Sequence, residues 1–312
     1  MHANTLGLLL VAACMHATAN LLLKQARDKL AFTWWMLTAS CLLGLPLLLR
    51  MQPIGRAGWL LIIASGLLET VYFVALSRAY THGDLSQVYP LARGSAPLFI
   101  VLWAGLFLAE RPSLAGMAGI LSIVLGLYLV NLRSLADWKR PLLGFRTPAA
   151  RWALLTGLLI SAYATVDKKG VAYVNPLPYI YLVLFVGWIA LAPQWLSHGR
   201  RRALRDEIAD SPPRRLLAAS SSAMFGLASY LLVLSALQID ALGYVGAVRE
   251  VSVVIGTWIG VKFLKERGGP VRVVASALVV LGIFLIACYG GVPAGTVSAS
   301  EAVVTPASGG NS

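Results

Sequence analysis

The chain has 312 residues, 58% of them hydrophobic and only 12% charged, with a formal net charge of +13 and a mean hydropathy of +0.75. That composition excludes an ordinary soluble domain and places the chain in the membrane class, with the lipid bilayer as its expected surroundings. The basic excess lies mostly in short loops between apolar runs, which leaves no exposed basic domain for nucleic acid.

Apolar runs of about 18–25 residues, the length of a helix that crosses a bilayer, recur ten times: 5–23, 31–49, 58–77, 85–109, 114–131, 152–170, 178–196, 216–237, 241–264 and 271–290. These lengths suit helices rather than barrel strands, so the chain reads as an all-α integral membrane protein. In the first span Lys24, Arg27 and Lys29 follow the apolar stretch instead of preceding it, the reverse of a cleaved signal peptide. That span also carries His16, Asn20 and Lys24 at i, i+4 and i+8, a polar stripe on one helical face suited to a cavity wall.

Span three holds one carboxyl, Glu69, near its centre. Span four places Tyr89, Pro90, Gly94 and Pro97 around Arg93, which predicts a hydrogen-bond ladder broken beside the charge. Residues 132–151 read as a cytoplasmic connector. Span six repeats a polar stripe with Ser161, Thr165 and Lys169, while Asp167 and Lys168 sit close enough to its end to reach the interface. Span nine has Gly243, Tyr244, Gly246, Arg249, Glu250, Gly256, Trp258 and Gly260. Ser and Thr on such stripes also serve as interhelical packing residues, and the aromatic residues could line a cavity or simply pack. Trp34, Trp35, Trp59 and Trp138 look like interfacial anchors. Residues 291–312, rich in Gly, Ser, Ala, Thr and Pro, read as a disordered tail. The three cysteines, Cys14, Cys41 and Cys288, are dispersed without metal spacing, and neither metal nor cofactor is expected.

Two halves are superimposable in sequence. An offset of 156 places Asp84 on Asp240, Arg93 on Arg249, Glu110-Arg111 on Glu266-Arg267 and Gly126 on Gly282. A weaker match at 145 pairs Asn20 with Thr165, Lys24 with Lys169 and Trp34 with Tyr179. Repeats 1–131 and 152–290 each hold five spans, an odd number, so the second enters the membrane inverted. Of the 26 Lys and Arg residues, Arg50, Arg56, Arg111, Lys168 and Lys169 fall on the N-terminal side. Apart from the two arginines within spans, all others fall on the opposite side. The positive-inside rule makes that side cytoplasmic and both termini periplasmic.

An arginine inside hydrocarbon costs about 2.5–3.5 kcal/mol on insertion scales, so a duplicated one is a functional candidate. Arg93 and Arg249 are expected on opposite sides of the midplane, facing one cavity and binding an anion through their donor forks. The competing reading is an internal ion pair that only holds the bundle together. Glu69 aligns with Phe225 and so breaks the symmetry; it either carries a proton or pairs permanently with Arg93. Glu250 projects about 100° away from Arg249 around a regular helix, which makes it a weaker proton-coupling candidate.

The segments His16-Ala-Thr-Ala-Asn20-Leu-Leu-Leu-Lys24, Gln87-Val-Tyr-Pro90, Leu-Ala-Glu110-Arg111, Ala-Leu-Gly243, Val-Arg249-Glu250-Val-Ser252 and Lys265-Glu266-Arg267 resemble the EamA branch of the drug/metabolite transporter superfamily. The resemblance covers about residues 4–290. It implies a ten-helix carrier of the bacterial inner membrane, a monomer or homodimer, moving a small metabolite by alternating access. The candidate binding residues are Arg93, Arg249, His16, Asn20, Tyr89, Thr165 and Tyr244, with Glu69 and Glu250 for proton coupling. Amino acids, organic acids and organophosphonates fit two arginines. Export of cationic drugs is the alternative; small multidrug relatives use a carboxylate in the first helix, where this chain has His16 and Asn20. Movement of lipid-linked substrates is a third possibility, and scattered histidines without a metal motif argue against an enzyme.

Overall fold

A computed structural model describes residues 1–24, 26–82, 85–129, 132, 139, 147–209, 211–252, 254–255 and 270–289, and within them the chain is helical. The elements are α1 (Ala3–Lys24), α2 (Lys29–Gly44), α3 (Arg56–His82), α4 (Leu85–Phe107), α5 (Leu114–Leu129), α6 (Pro148–Gly170), α7 (Pro176–Leu191), α8 (His198–Ala209), α9 (Pro212–Ile239), α10 (Leu242–Arg249) and α11 (Pro270–Tyr289). Short 3₁₀ turns continue α2 through Arg50 and α7 through Leu196. Five helical stretches, in α2, α3, α6, α7 and α9, are long and apolar enough to cross a membrane, and α1, α4, α5 and α11 contain shorter apolar stretches. Tail residues 291–312, most of the connector, the second half of span nine with Gly256, Trp258 and Gly260, and the Glu266-Arg267 pair lie outside the described residues, as does Trp138.

Local chemistry sets the helix starts. Asp28 caps α2, its Oδ1 accepting from the N–H groups of Leu30 (3.0 Å) and Ala31 (2.9 Å). Thr147 caps α6 ahead of Pro148. Helices α6, α7, α9 and α11 each begin at a proline, where the missing N–H is no loss and φ is already helical. Helix α8 was not among the predicted spans; its arginines make it far too polar to cross. It is tied to the α1–α2 turn by Trp35 Nε1 donating to Leu204 O (3.1 Å), by the Asp28 N–H donating to Glu207 (2.8 Å) and by an Arg200–Asp28 ion pair (3.0 Å).

Packing between the halves is reciprocal. Helix α1 lies against α9, and its repeat mate α6 lies against α3; α9 packs on α2 as α3 packs on α7; α4 touches α6 as α10 touches α1. Helices α5 and α11 pair with each other. Within that last pair Ser122 Oγ donates to Leu278 O at 2.8 Å, and these two residues are 156 apart. A residue that bonds its own repeat mate marks where a two-fold axis runs. On either side of it a Cβ on Gly119 would meet Gly282 O at 2.7 Å and a Cβ on Gly126 would meet Ala275 O at 2.7 Å. These two contacts are images of one another under the same offset, and they let the backbones approach as small residues do in membrane helix pairs.

Polarity is inside out. Leu42, Leu60, Leu102, Leu114, Leu217, Val280 and Phe284 are exposed, while Glu69, Arg93, Asp167, Arg249 and Glu250 are buried. In water that arrangement would leave an apolar exterior unsolvated and charges desolvated, whereas a bilayer reverses the first cost.

The prolines of span four withhold two donors from its hydrogen-bond ladder but do not end its helix. Helix α4 runs continuously through Pro90, Gly94 and Pro97, and the interruption falls instead in span nine, where α10 ends at Arg249. The Glu250 N–H reaches back to Ala247 O (3.2 Å), a tighter closure than helical spacing. Proline removes one donor but keeps a helical φ, and flanking turns bridge the gap. After α4 the backbone turns through Ala109 at φ 53°, the left-handed region. That turn presents Glu110, whose N–H donates to Ala104 O (3.2 Å) and whose Oε1 accepts from the Leu242 N–H (3.1 Å) at the start of α10. The Glu of the Glu-Arg motif thus caps a helix of the other half.

A methyl on Gly282 would sit 2.5 Å from Gly119 O, whereas Gly226 of α9 has open space around it. Gly282→Val is expected to lower stability by about 1–3 kcal/mol. Gly226→Ala is expected to leave it unchanged or raise it by up to about 1 kcal/mol. Thermal unfolding in detergent reads both.

Candidate functional site

Six helices, α1, α3, α4, α6, α9 and α10, bring titratable side chains to the centre of the bundle. In each half they are the first, third and fourth of the apolar runs read from the sequence, so the repeat itself builds the site. Arg93 projects from α4 and its Nη1 donates to both oxygens of Glu250, at 3.2 and 3.3 Å. Arg249 Nη2 lies 3.6 Å from Glu250 Oε1. Glu250 is fully buried, and each arginine side chain is about one-tenth exposed.

The arginines do not face each other across an open cavity as two separate positions. They are neighbours around one carboxylate. A two-fold axis through the centre brings residues close to it next to their own mates, as it does for Ser122 and Leu278. Glu250 was read as pointing away from Arg249, which holds on a regular helix. The two side chains are long enough to meet all the same, and the Glu250 carboxylate lies between the two guanidinia. At an effective dielectric near 20, a unit-charge pair about 4 Å apart interacts by about 4 kcal/mol, so one carboxylate offsets much of the cost of holding two cations there.

Arg93 Nη2 is 3.1 Å from His16 Nε2, so the α1 stripe reaches the centre through its histidine. A guanidinium only donates, so that contact uses the imidazole nitrogen as acceptor. Arg249 Nη2 donates to the Tyr163 hydroxyl at 3.5 Å, and its guanidinium lies 5.9 Å from the centre of the Tyr230 ring. Tyr72 and Tyr230 meet Tyr163 edge-on at 5.9 and 6.3 Å. These three tyrosines were not among the sequence candidates. Their signal was a hydroxyl on an aromatic ring in mid-span, which composition alone does not separate from packing.

Asp167 is the larger omission. It was read as reaching the interface, yet it is fully buried. Its Oδ1 accepts from Ser65 Oγ (2.5 Å) and the Tyr179 hydroxyl (2.9 Å), and its Oδ2 accepts from the Tyr230 hydroxyl. Spacing gave one hint: Tyr163 and Asp167 are four residues apart on one face of α6. Glu69, one turn beyond Ser65 on α3, is buried and near enough to Asp167 and Arg249 for their charges to interact. Among the described residues no hydrogen bond joins Glu69, and Arg93 pairs with Glu250 instead. The permanent Glu69–Arg93 pair entertained from sequence does not form.

Other candidates lie elsewhere or stay local. Thr165 donates to Ser161 O (2.8 Å) and Ser161 to Leu158 O (2.6 Å), so the α6 stripe satisfies its hydroxyls on its own backbone. Tyr244 is buried at the start of α10, where its hydroxyl accepts from the Ser113 N–H (3.1 Å) and its ring fills the space beside Gly116. It anchors α5 rather than joining the charged centre. The side chains of Asn20, Lys24 and Tyr89 lie outside the described residues. Lys168, also assigned to the interface, caps α9 by donating to Leu237 O and to Asp240 O (2.8 Å). Trp34 does not stand alone as an anchor; it stacks on Trp188 at 5.3 Å.

Removing Asp167 leaves three buried hydroxyl donors without an acceptor. Asp167→Ala is expected to destabilise the protein by about 3–5 kcal/mol, while Ser65→Ala, which removes one of three donors, costs about 1–2 kcal/mol. Detergent unfolding midpoints of the two variants check the difference.

Comparison with known proteins agrees with this geometry. A protein of known crystal structure, 16% identical, superimposes with a TM-score of 0.71 over 91% of this chain and 96% of its own, which shows a shared fold. No curated protein matches the sequence. The EamA-like transporter family matches twice, over residues 4–132 and 147–288. Those two matches coincide with the two halves that pack reciprocally and place one arginine each at the centre. The chain therefore belongs to the EamA-like transporter family, multi-pass membrane transporters of the drug/metabolite type.

Proposed function

We propose that this transporter is a secondary carrier that moves a small anionic or zwitterionic metabolite, such as an amino acid, an organic acid or an organophosphonate, across the bacterial inner membrane by alternating access. The observation that carries the reading is the convergence of Arg93 and Arg249 on one buried carboxylate. The fork geometry of two guanidinia already gathered around a carboxylate suits carboxylate and phosphonate groups. In this reading ten spans form two inverted repeats, with both termini periplasmic, and the two-fold axis passes through the binding centre. Sites at a repeat interface are suited to alternating access because both sides reach them through equivalent helices.

Cation export is the second reading, and one observation favours it. Glu69 and Asp167 bring two carboxyls into electrostatic range on adjacent helices, and a cationic cargo would be drawn there rather than to the arginines.

One assay separates the two. Protein reconstituted into liposomes is screened with labelled amino acids, organic acids, phosphonates and a lipophilic cation. Arg93→Ala and Arg249→Ala are expected to lower transport of the best anionic substrate by at least about tenfold, as truncating one member of a buried charge pair does. Both variants are required to elute as the wild type does in size exclusion. Normal anion transport by both, or uptake of the cation alone with loss in Glu69→Gln, rejects the anion reading. Reporter fusions at either terminus are expected to report a periplasmic location.

A further inference from the structure

We infer that Glu250 is a tethered stand-in for the anionic group of the cargo, and that cargo displaces it with uptake of one proton. The inference rests on the anion-site reading above. Its starting point is that Glu250 already does what a bound carboxylate would do. It accepts both bonds from Arg93 Nη1, lies 3.6 Å from Arg249 Nη2, and is fully buried. It also sits where the helix is interrupted: α10 stops at Arg249, and the Glu250 N–H closes back onto Ala247 O. A carboxylate needed only as a counter-charge could sit on an unbroken helix; one on a local irregularity can swing away without moving the rest of α10.

Charge conservation gives the proton. With Glu250 ionised, the centre carries two guanidinium charges and one carboxylate. A cargo carboxylate inserted between the arginines brings a second negative charge and pushes Glu250 into surroundings where the described residues offer no third cation. The remaining groups near it are His16 on α1, Glu69 and Tyr72 on α3, Tyr163 on α6 and Tyr230 on α9. None of these supplies a permanent positive charge, and Glu69 is itself acidic. Uptake of one proton by the displaced Glu250 restores the original balance, so empty and loaded centres carry the same net charge. The same exchange lets the empty carrier keep one negative charge between its arginines while it reorients.

The test counts protons. Purified protein in detergent is titrated calorimetrically with L-lactate, glycine and succinate at pH 7.5, in buffers of different ionisation enthalpy. Wild type is expected to take up about one proton per molecule bound, with affinity falling about tenfold per pH unit as pH rises. Glu250→Gln is expected to bind at least about tenfold tighter, without proton uptake and without pH dependence, and Glu250→Asp to retain the uptake. The wild-type count stands even if Glu250→Gln fails to fold. Binding by wild type without proton uptake, or an unchanged count in Glu250→Gln, overturns the inference and leaves the anion site intact. Absence of binding by all three probes removes the anion site itself, and this inference with it.

Discussion

A guanidinium does not give up its proton at any pH a cell experiences, so two of them buried between helices must find negative charge within the protein. That constraint organises the centre of this transporter. Arg93 and Arg249 occupy equivalent positions in the two halves, and the carboxylate of Glu250 lies between them. Because both arginines come from fourth spans, their shared counter-ion also ties the two halves together. Any motion that separates the halves has to break or replace the pair, which links the electrostatics of the centre to the packing of the bundle.

The symmetry is good in the scaffold and broken in the chemistry. Between α5 and α11, Ser122 meets Leu278, and the Gly119 and Gly126 contacts are images of each other. Between α3 and α6 the interface holds Glu69, Ser65 and Asp167. Its image, between α9 and α1, holds Ser222 and Ser229 donating to the carbonyls of Ala19 and Ala12. One interface therefore carries acids and a cage of tyrosine hydroxyls, while the hydrogen bonds described in the other are neutral. Two interfaces built from equivalent helices but with unequal charge will not open with equal ease, and that inequality can give a carrier a preferred resting state.

Sequence reading found the membrane class, the all-helical fold and the two repeats, because lipid imposes length and apolarity on each span directly and a duplication survives as an offset. It also picked out Arg93, Arg249 and Glu69, since charge inside an apolar run is conspicuous whatever the fold. The Glu110 motif was visible as well, but its task of capping α10 across the repeat boundary was not, as nothing local links residues 110 and 242.

What tertiary structure decided was who meets whom. Helical periodicity sends Glu250 away from Arg249, yet its carboxylate reaches both guanidinia, and the helix is interrupted in span nine rather than at the prolines of α4. Asp167 looked peripheral by its distance from the end of span six, yet α3, α7 and α9 each send a hydroxyl to it and enclose it. Depth along one helix is readable from the sequence. Enclosure by three others is a property of packing, and a two-fold axis that sets Arg93 beside Arg249 exists only once the halves have docked. The sequence by itself determined that this protein has helices for a membrane and charges that must be answered within it; the fold determined which residue answers.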